Sequence, residues 1–441
     1  MNYRITEDAP SIAAQATEIP AMYGRVDFAV APERFTLEPN AKTDLEPEFA
    51  ARRPDLLADE AQVTRIRAFT MCGDHLADAY AALIPKHGFN KLVDMLASAC
   101  EHGLESVTDA PPELERLIRD MEQLPTWLDR DMIERGARIE RNGYANRAPF
   151  AIRVGLIPTF MNKYTALPMV LTGALSSKAS ARRIHETATF FATTVMPDVL
   201  DRHGGAFKSA AMVRLMHAMV RFNLLQNAAN WDVATYGIPI PQVDQVPIGF
   251  LSAFHLAVAA LRQGRPFTSD ERAQVEIGRY RCFLLGLPEA LLPDTPHEIV
   301  ALLLTRHATL RKEADDNCNA LVKATMTADL TTGHSLPDRF HGWLERGFSR
   351  VSFLAKFAHG DKRAAEAVGV SVGFADYVAA LCAGIVVNAR VTAYALAAHL
   401  PGMDDVVDGS LVRRLTKQLS AYGHADFTTN PKTYRAAHAG S

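Results

Sequence analysis

Met212-Val-Arg-Leu-Met-His-Ala-Met-Val-Arg-Phe222 repeats its apolar residues at helical spacing, and its reading decides the fold. At about 100° per residue, Val213, His217, Val220 and Leu224 share one stripe, so His217 points where a core belongs. Arg214 stands three residues before the histidine and Arg221 four after it, within about 60° of the same face.

Working outward, the same period recurs between glycine and proline breaks. Helical stretches read as Asp59–Leu83, Phe89–His102, Pro111–Gln123, Leu128–Asn142, Ala148–Thr172, Ser180–Met196, Ser209–Trp231, Gly249–Leu261, Ser269–Leu285, Thr295–Met326, Arg339–Phe357 and Gly373–His399. No alternation of β-branched and aromatic residues is long enough for a sheet. The expected class is therefore all-α, a single large helical domain over 61–441. Pro10, Pro20, Pro32, Pro39, Pro47 and Pro54 crowd residues 1–60, which read as an extended arm.

The chain has 441 residues, with 47 basic and 50 acidic side chains, a formal charge of −3. That balance, with 48% apolar residues, excludes a disordered polyelectrolyte and gives no electrostatic footprint for nucleic acid. Five scattered cysteines, Cys72, Cys100, Cys282, Cys318 and Cys382, match neither a disulfide framework nor zinc spacing and fit a reducing compartment. The first 20 residues carry Glu7, Asp8 and Glu18 and no basic-then-apolar run, so the expected location is cytoplasmic. Two apolar windows, 364–387 and 386–400, contain Asp376 and Arg390 respectively. They read as buried core helices rather than membrane spans, with peripheral membrane contact left open by the apolar C-terminal half. Nucleotide-binding, α/β-hydrolase and HExxH motifs are absent from the sequence.

Three stretches could carry chemistry. A histidine facing an apolar cavity between two arginines suits a haem, with His217 for the iron and Arg214 and Arg221 for the propionates. A hydrogen-bonded core histidine with solvated arginines fits the same pattern. On 180–191, Arg183 and Thr187 are an i, i+4 pair with Glu186 beside them and Phe190 one turn on. That supplies a cation, a hydroxyl and a carboxylate over an apolar floor, or an ordinary capped helix with surface charges. Residues 230–244, Asn-Trp-Asp-Val-Ala-Thr-Tyr-Gly-Ile-Pro-Ile-Pro-Gln-Val-Asp, read as a rigid non-helical crossing. His185 points about 150–160° away from the Arg183 and Thr187 face, and His255 and His307 read as core groups on apolar helices.

Together, Pro125-Thr-Trp-Leu-Asp129 with Gly136, Arg183-x-x-x-Thr187, Met216-His-Ala-Met-Val-Arg221 and Trp231-Asp232 with Gly237-x-Pro239-Ile-x-Gln242-x-Asp244 resemble the latex clearing protein family of MpaB-type oxygenases. The resemblance covers roughly residues 120–370. It implies a globin-like helical core, haem b, His217 as proximal iron ligand, and Arg183 and Thr187 on the distal side. Rubber-cleaving members carry a distal glutamate on the preceding helix and a lysine ahead of the threonine. This sequence has no Asp or Glu between Asn146 and His185, and Glu186 precedes Thr187. Without that proton acceptor, polyisoprene cleavage by the same route is not expected, and Glu186 is the local replacement. The resemblance thus implies a haem b oxygenase acting with dioxygen on a small apolar or isoprenoid-like intracellular substrate. A non-catalytic haem or lipophile binder of the same fold is the alternative.

Overall fold

A computed structural model describes residues 12–173, 177–226 and 231–423. Among these residues the secondary structure is helical, with no strand. Two isolated antiparallel bridges join Phe35 to Leu310 and Thr43 to Arg311. The all-α expectation holds.

The boundaries differ where a side chain supplies a cap in mid-stretch. The expected Asp59–Leu83 helix divides into Glu60–Phe69 and His75–Ala81, because Asp74 caps the second by accepting from the Ala77 N–H. Ala148–Thr172 divides likewise into Ala148–Phe160 and Lys163–Leu171, with Asn162 as the cap. Thr295–Met326 becomes Pro296–Thr309 and Asp316–Thr327, the latter capped by Asp315. In the described part of the expected arm, the chain is not wholly extended. Gln15–Glu18, Pro20–Tyr23, Pro47–Arg52 and Arg53–Ala58 are short helical turns. Three of these carry proline in the first two positions, where the missing N–H leaves no bond unmade.

The described residues of 12–136 and 198–313 form one compact unit, and those of 137–197 and 314–423 form a second. In the first, the Gly205–Gln226 helix packs on His75–Ala81 and Phe89–His102, while Gln242–Arg262 packs on Ser269–Leu284 and Pro296–Thr309. The Gln242–Arg262 and Ser269–Leu284 backbones touch at Gly249 and Gly278, where a Cβ on either would overlap the other's carbonyl oxygen. In the second unit, Ile157, Phe160, Leu321, Met326 and Phe353 share one apolar cluster, and Phe150, Leu344, Ala383 and Val387 another. Burying each large side chain stabilises by about 1.5–3 kcal/mol.

The single helix expected at Gly373–His399 is present as Phe374–Ala398 and runs through most of both apolar windows, but their reading as buried core needs correction, because it turns Phe374, Leu381, Ile385 and Leu396 to solvent. Two helices, this one and Gln242–Arg262, are long and apolar enough to cross a membrane by length and composition.

Gly249→Ala is expected to lower stability by about 1–3 kcal/mol through overpacking. Gly155→Ala, on a helix where the added Cβ meets nothing within 4 Å, is expected to raise it by about 0.5–1 kcal/mol. Urea unfolding of the two variants measures both.

Candidate functional site

The Gly205–Gln226 helix buries Val213, Ala218, Met219, Val220 and Leu224. His217 is only half-buried. The stripe read from periodicity is core except at the histidine, whose imidazole is part-open. An imidazole is a group that could ligate iron.

Arg214 and Arg221 are also buried, and their partners are carboxylates of this chain. Arg214 donates from Nε and Nη2 to the two Asp74 oxygens at 2.6 and 2.8 Å, and from Nη1 to Asp120 at 3.4 Å. Arg221 donates from Nε to Asp78 at 2.9 Å, with Nη2 of the same guanidinium 2.8 Å from that oxygen. Its Nη1 donates to the carbonyls of Pro239 and Ile240 at 2.9 and 2.6 Å. The Tyr23 hydroxyl donates to the other Asp78 oxygen at 2.5 Å. The expected propionate role of Arg214 and Arg221 is therefore corrected, since buried aspartates and loop carbonyls take up these donors. Removing one partner would strand a charge in the core.

Burial alone would raise the Asp74 carboxyl, but the Arg214 charge and hydrogen bonds hold it below its usual value. Burial dominates at Asp78 and pushes it up, with Arg221 opposing. Two glycines make room for the pairs: a Cβ at Gly73 would fall on Asp78 and Tyr23 oxygens, and one at Gly286 on Asp74. Periodicity missed Asp74 and Asp78. The one signal available was two aspartates at i, i+4 inside an otherwise apolar stretch.

Sequence-motif residues around this helix turn out to brace it. Trp231 donates from Nε1 to the Gly237 carbonyl at 2.7 Å, and Gln242 donates to the carbonyls of Gly73 and Gly286. Asp244 accepts two bonds from Arg34, at 3.0 and 2.7 Å. The described part of the expected non-helical crossing, 231–244, includes one helical turn, Val233–Tyr236, capped by Asp232. Asn230 lies outside the described residues. Trp127 stacks against the Arg279 guanidinium, 4.0 Å from the ring centre, and Asp129 caps the helix that follows.

Arg183, Glu186 and Thr187 lie on the Ser177–Thr193 helix of the second unit, whereas His217 lies in the first. Arg183 donates from Nη2 to the Thr172 hydroxyl at 3.0 Å. The Thr187 hydroxyl donates to the Arg183 carbonyl at 2.9 Å, so Arg183 and Thr187 do meet, through helix backbone. Glu186 is buried, with its carboxylate 2.9 Å from Arg182 Nε. His185 stacks on Tyr422, with ring centres 4.9 Å apart. A fully buried Arg153 grips both oxygens of Glu345 in the same unit, at 2.9 and 2.7 Å, a pair that sequence reading did not find. His255 is exposed, correcting its assignment to the core. Among the described residues no group of three or more His, Cys, Asp or Glu side chains is arranged to hold a metal ion.

The family described as "ER-bound oxygenase mpaB/B'/Rubber oxygenase, catalytic domain" matches residues 144–387, more than half of the chain. The chain belongs to this family of oxygenases. Its fold is similar to that of the solved structure entitled "Structure of Latex Clearing Protein LCP in the closed state". That match has a TM-score of 0.52 and 20% identity, covering 80% of this chain and 91% of the other. No curated protein sequence matches it.

Asp78→Ala is expected to cost about 3–5 kcal/mol, because it leaves Arg221 charged and buried. Arg119→Ala, which removes an exposed i, i+4 pair with Glu115, should change stability by less than about 0.5 kcal/mol in the same denaturant titration. A pH effect follows from His307, whose imidazole is pushed down to about 4, by burial first and then by the Arg306 charge. The folded value lies below the unfolded one. Its stabilisation is therefore present above about pH 6.5 and lost as pH falls toward 4. Between pH 7 and 4.5, His307→Gln should lose fewer degrees of Tm than the wild type, by roughly 2–4 °C.

Proposed function

We propose that the protein is a haem b-dependent oxygenase acting with dioxygen on a small apolar or isoprenoid-like intracellular substrate. The observation that carries this reading is His217, a half-buried imidazole in an otherwise buried stripe of a chain that belongs to the oxygenase family. When bound, haem b would supply redox-active iron for dioxygen chemistry. The residues fit that group in part: His217 suits the iron, while Arg214 and Arg221 are engaged elsewhere, so the propionates need other partners.

The chain's own groups would do the rest. His217 would hold the iron through a ring nitrogen. Arg183 supplies N–H donors for negative charge developing on oxygen, and the Thr187 hydroxyl joins it there only by turning its proton away from the Arg183 carbonyl that now accepts it. Glu186, held by Arg182, accepts a proton from substrate in place of the glutamate absent between Asn146 and His185.

Dioxygen uptake with a panel of isoprenoid alkenes tests this assignment. Glu186→Gln is expected to slow turnover by about 10²-fold or more, and Arg183→Ala by about 10²–10³-fold, with haem content unchanged. Haem-loaded protein without uptake on any alkene would favour a non-catalytic haem or lipophile binder. Unaltered rates in both variants would remove Arg183 and Glu186 from the chemistry.

A further inference from the structure

We infer that residues 12–24 are a strap that fixes the setting of the His217 helix, with Tyr23 a positioning residue for the haem ligand; the inference rests on ligation of haem by His217. Two short helical turns, Gln15–Glu18 and Pro20–Tyr23, make up most of the strap, and Ile12, Gln15, Ile19, Met22 and Tyr23 on it are buried. A buried amide has to find its partners inside. Gln15 donates to the Ile12 and Met71 carbonyls at 2.8 and 3.2 Å and accepts from the Gly73 N–H at 3.1 Å. Glu18 lies 3.0 Å from His75 Nε2, and the Tyr23 hydroxyl donates to Asp78 at 2.5 Å. The strap also meets the histidine helix itself. Pro20–Tyr23 packs on Gly205–Gln226, whose last residue, Gln226, donates to the Ala21 carbonyl.

These contacts converge on one element. Met71, Gly73, His75 and Asp78 belong to the His75–Ala81 helix and the turn before it, which also carries Asp74. Arg221, one turn after His217, grips one Asp78 oxygen, and Tyr23 holds the other. Removing the hydroxyl leaves that second oxygen buried without its donor, at the full desolvation cost of the group. Burial already pushes the Asp78 carboxyl up, and the Tyr23 hydrogen bond is among the effects that hold it down. A rotated or neutral Asp78 grips Arg221 less, and the helix that presents His217 loses that anchor. The hydroxyl stays a donor, because burial and then the Asp78 charge push it well above its usual value. Gly73 leaves little slack, since a Cβ there would come within 2.2 Å of the Asp78 and Tyr23 oxygens and 2.9 Å of Arg221 Nε. Its N–H bonds Gln15, so both turns of the strap close on the same point.

Haem titration of the haem-free full chain, followed by the Soret band with circular dichroism melting alongside, tests the inference. Tyr23→Phe removes one oxygen and keeps the ring. It is expected to bind haem roughly tenfold more weakly, because apparent affinity scales with the fraction of molecules in the competent setting, and to show a displaced, broader Soret band. Gln226→Ala removes only an exposed bond and should displace the band in the same direction by less. Gly249→Ala, destabilised elsewhere in the same unit, should keep the wild-type band and affinity. A Tyr23→Phe protein with both unchanged overturns the inference, as does a Gly249→Ala protein displaced equally. If Tyr23→Phe does not fold, Gln226→Ala decides, and an unchanged band overturns the strap. His217→Ala, titrated in parallel, separates the two claims. Loss of haem there with Tyr23→Phe unchanged removes the strap alone, whereas wild-type haem binding by His217→Ala, or no haem uptake by wild type, removes the ligand assignment and the strap with it.

Discussion

Two buried ion pairs, Arg214 with Asp74 and Arg221 with Asp78, hold the helix that presents His217. They grip it one turn before and one turn after the histidine, and both anchor on one short helix, His75–Ala81, and its cap. A buried pair is weak evidence for net stability, since desolvation offsets much of the attraction. Its effect is on geometry. Wrong rotations or slides of the Gly205–Gln226 helix would leave two guanidiniums and two carboxylates unpaired in the core, so one setting of the histidine is strongly preferred. The loop after the helix is tied to the same system, because Arg221 also binds the Pro239 and Ile240 carbonyls.

This arrangement gives physical meaning to the sequence elements that carry the family resemblance. Trp231, Gly237, Gln242 and Asp244 are not reactive groups here. They close a frame of backbone and side-chain hydrogen bonds around the histidine helix. The histidine is the member of the stripe that the frame leaves part-open. The arginines thus fix the position of the helix, while the imidazole on it is left half-buried.

The all-α class was legible because helical period survives wherever one face is buried. Ser269–Leu284 was read to within one residue, and Gly205–Gln226 to within five at each end. Breaks such as Phe69–His75 and Phe160–Lys163 were not, since no proline marks them and the caps, Asp74 and Asn162, become evident only through the bonds they accept. The assignment of Arg214 and Arg221 to propionates failed for a related reason. Periodicity places a side chain on a face but does not say whether a distant carboxylate meets it there, and Asp74 and Asp78 lie 140 and 143 residues away. The exposure of Phe374–Ala398 was hidden too, because composition gives a helix's apolarity without saying which side faces the protein.

The proposed ligation of haem by His217 is tested most directly by the visible absorption spectrum of the purified chain. Wild type is expected to show a Soret band and a pyridine haemochrome of haem b. His217→Ala, with helicity retained by circular dichroism, is expected to lose both. A Soret band of full intensity in His217→Ala, or a colourless wild-type protein purified from haem-replete cells, would contradict it.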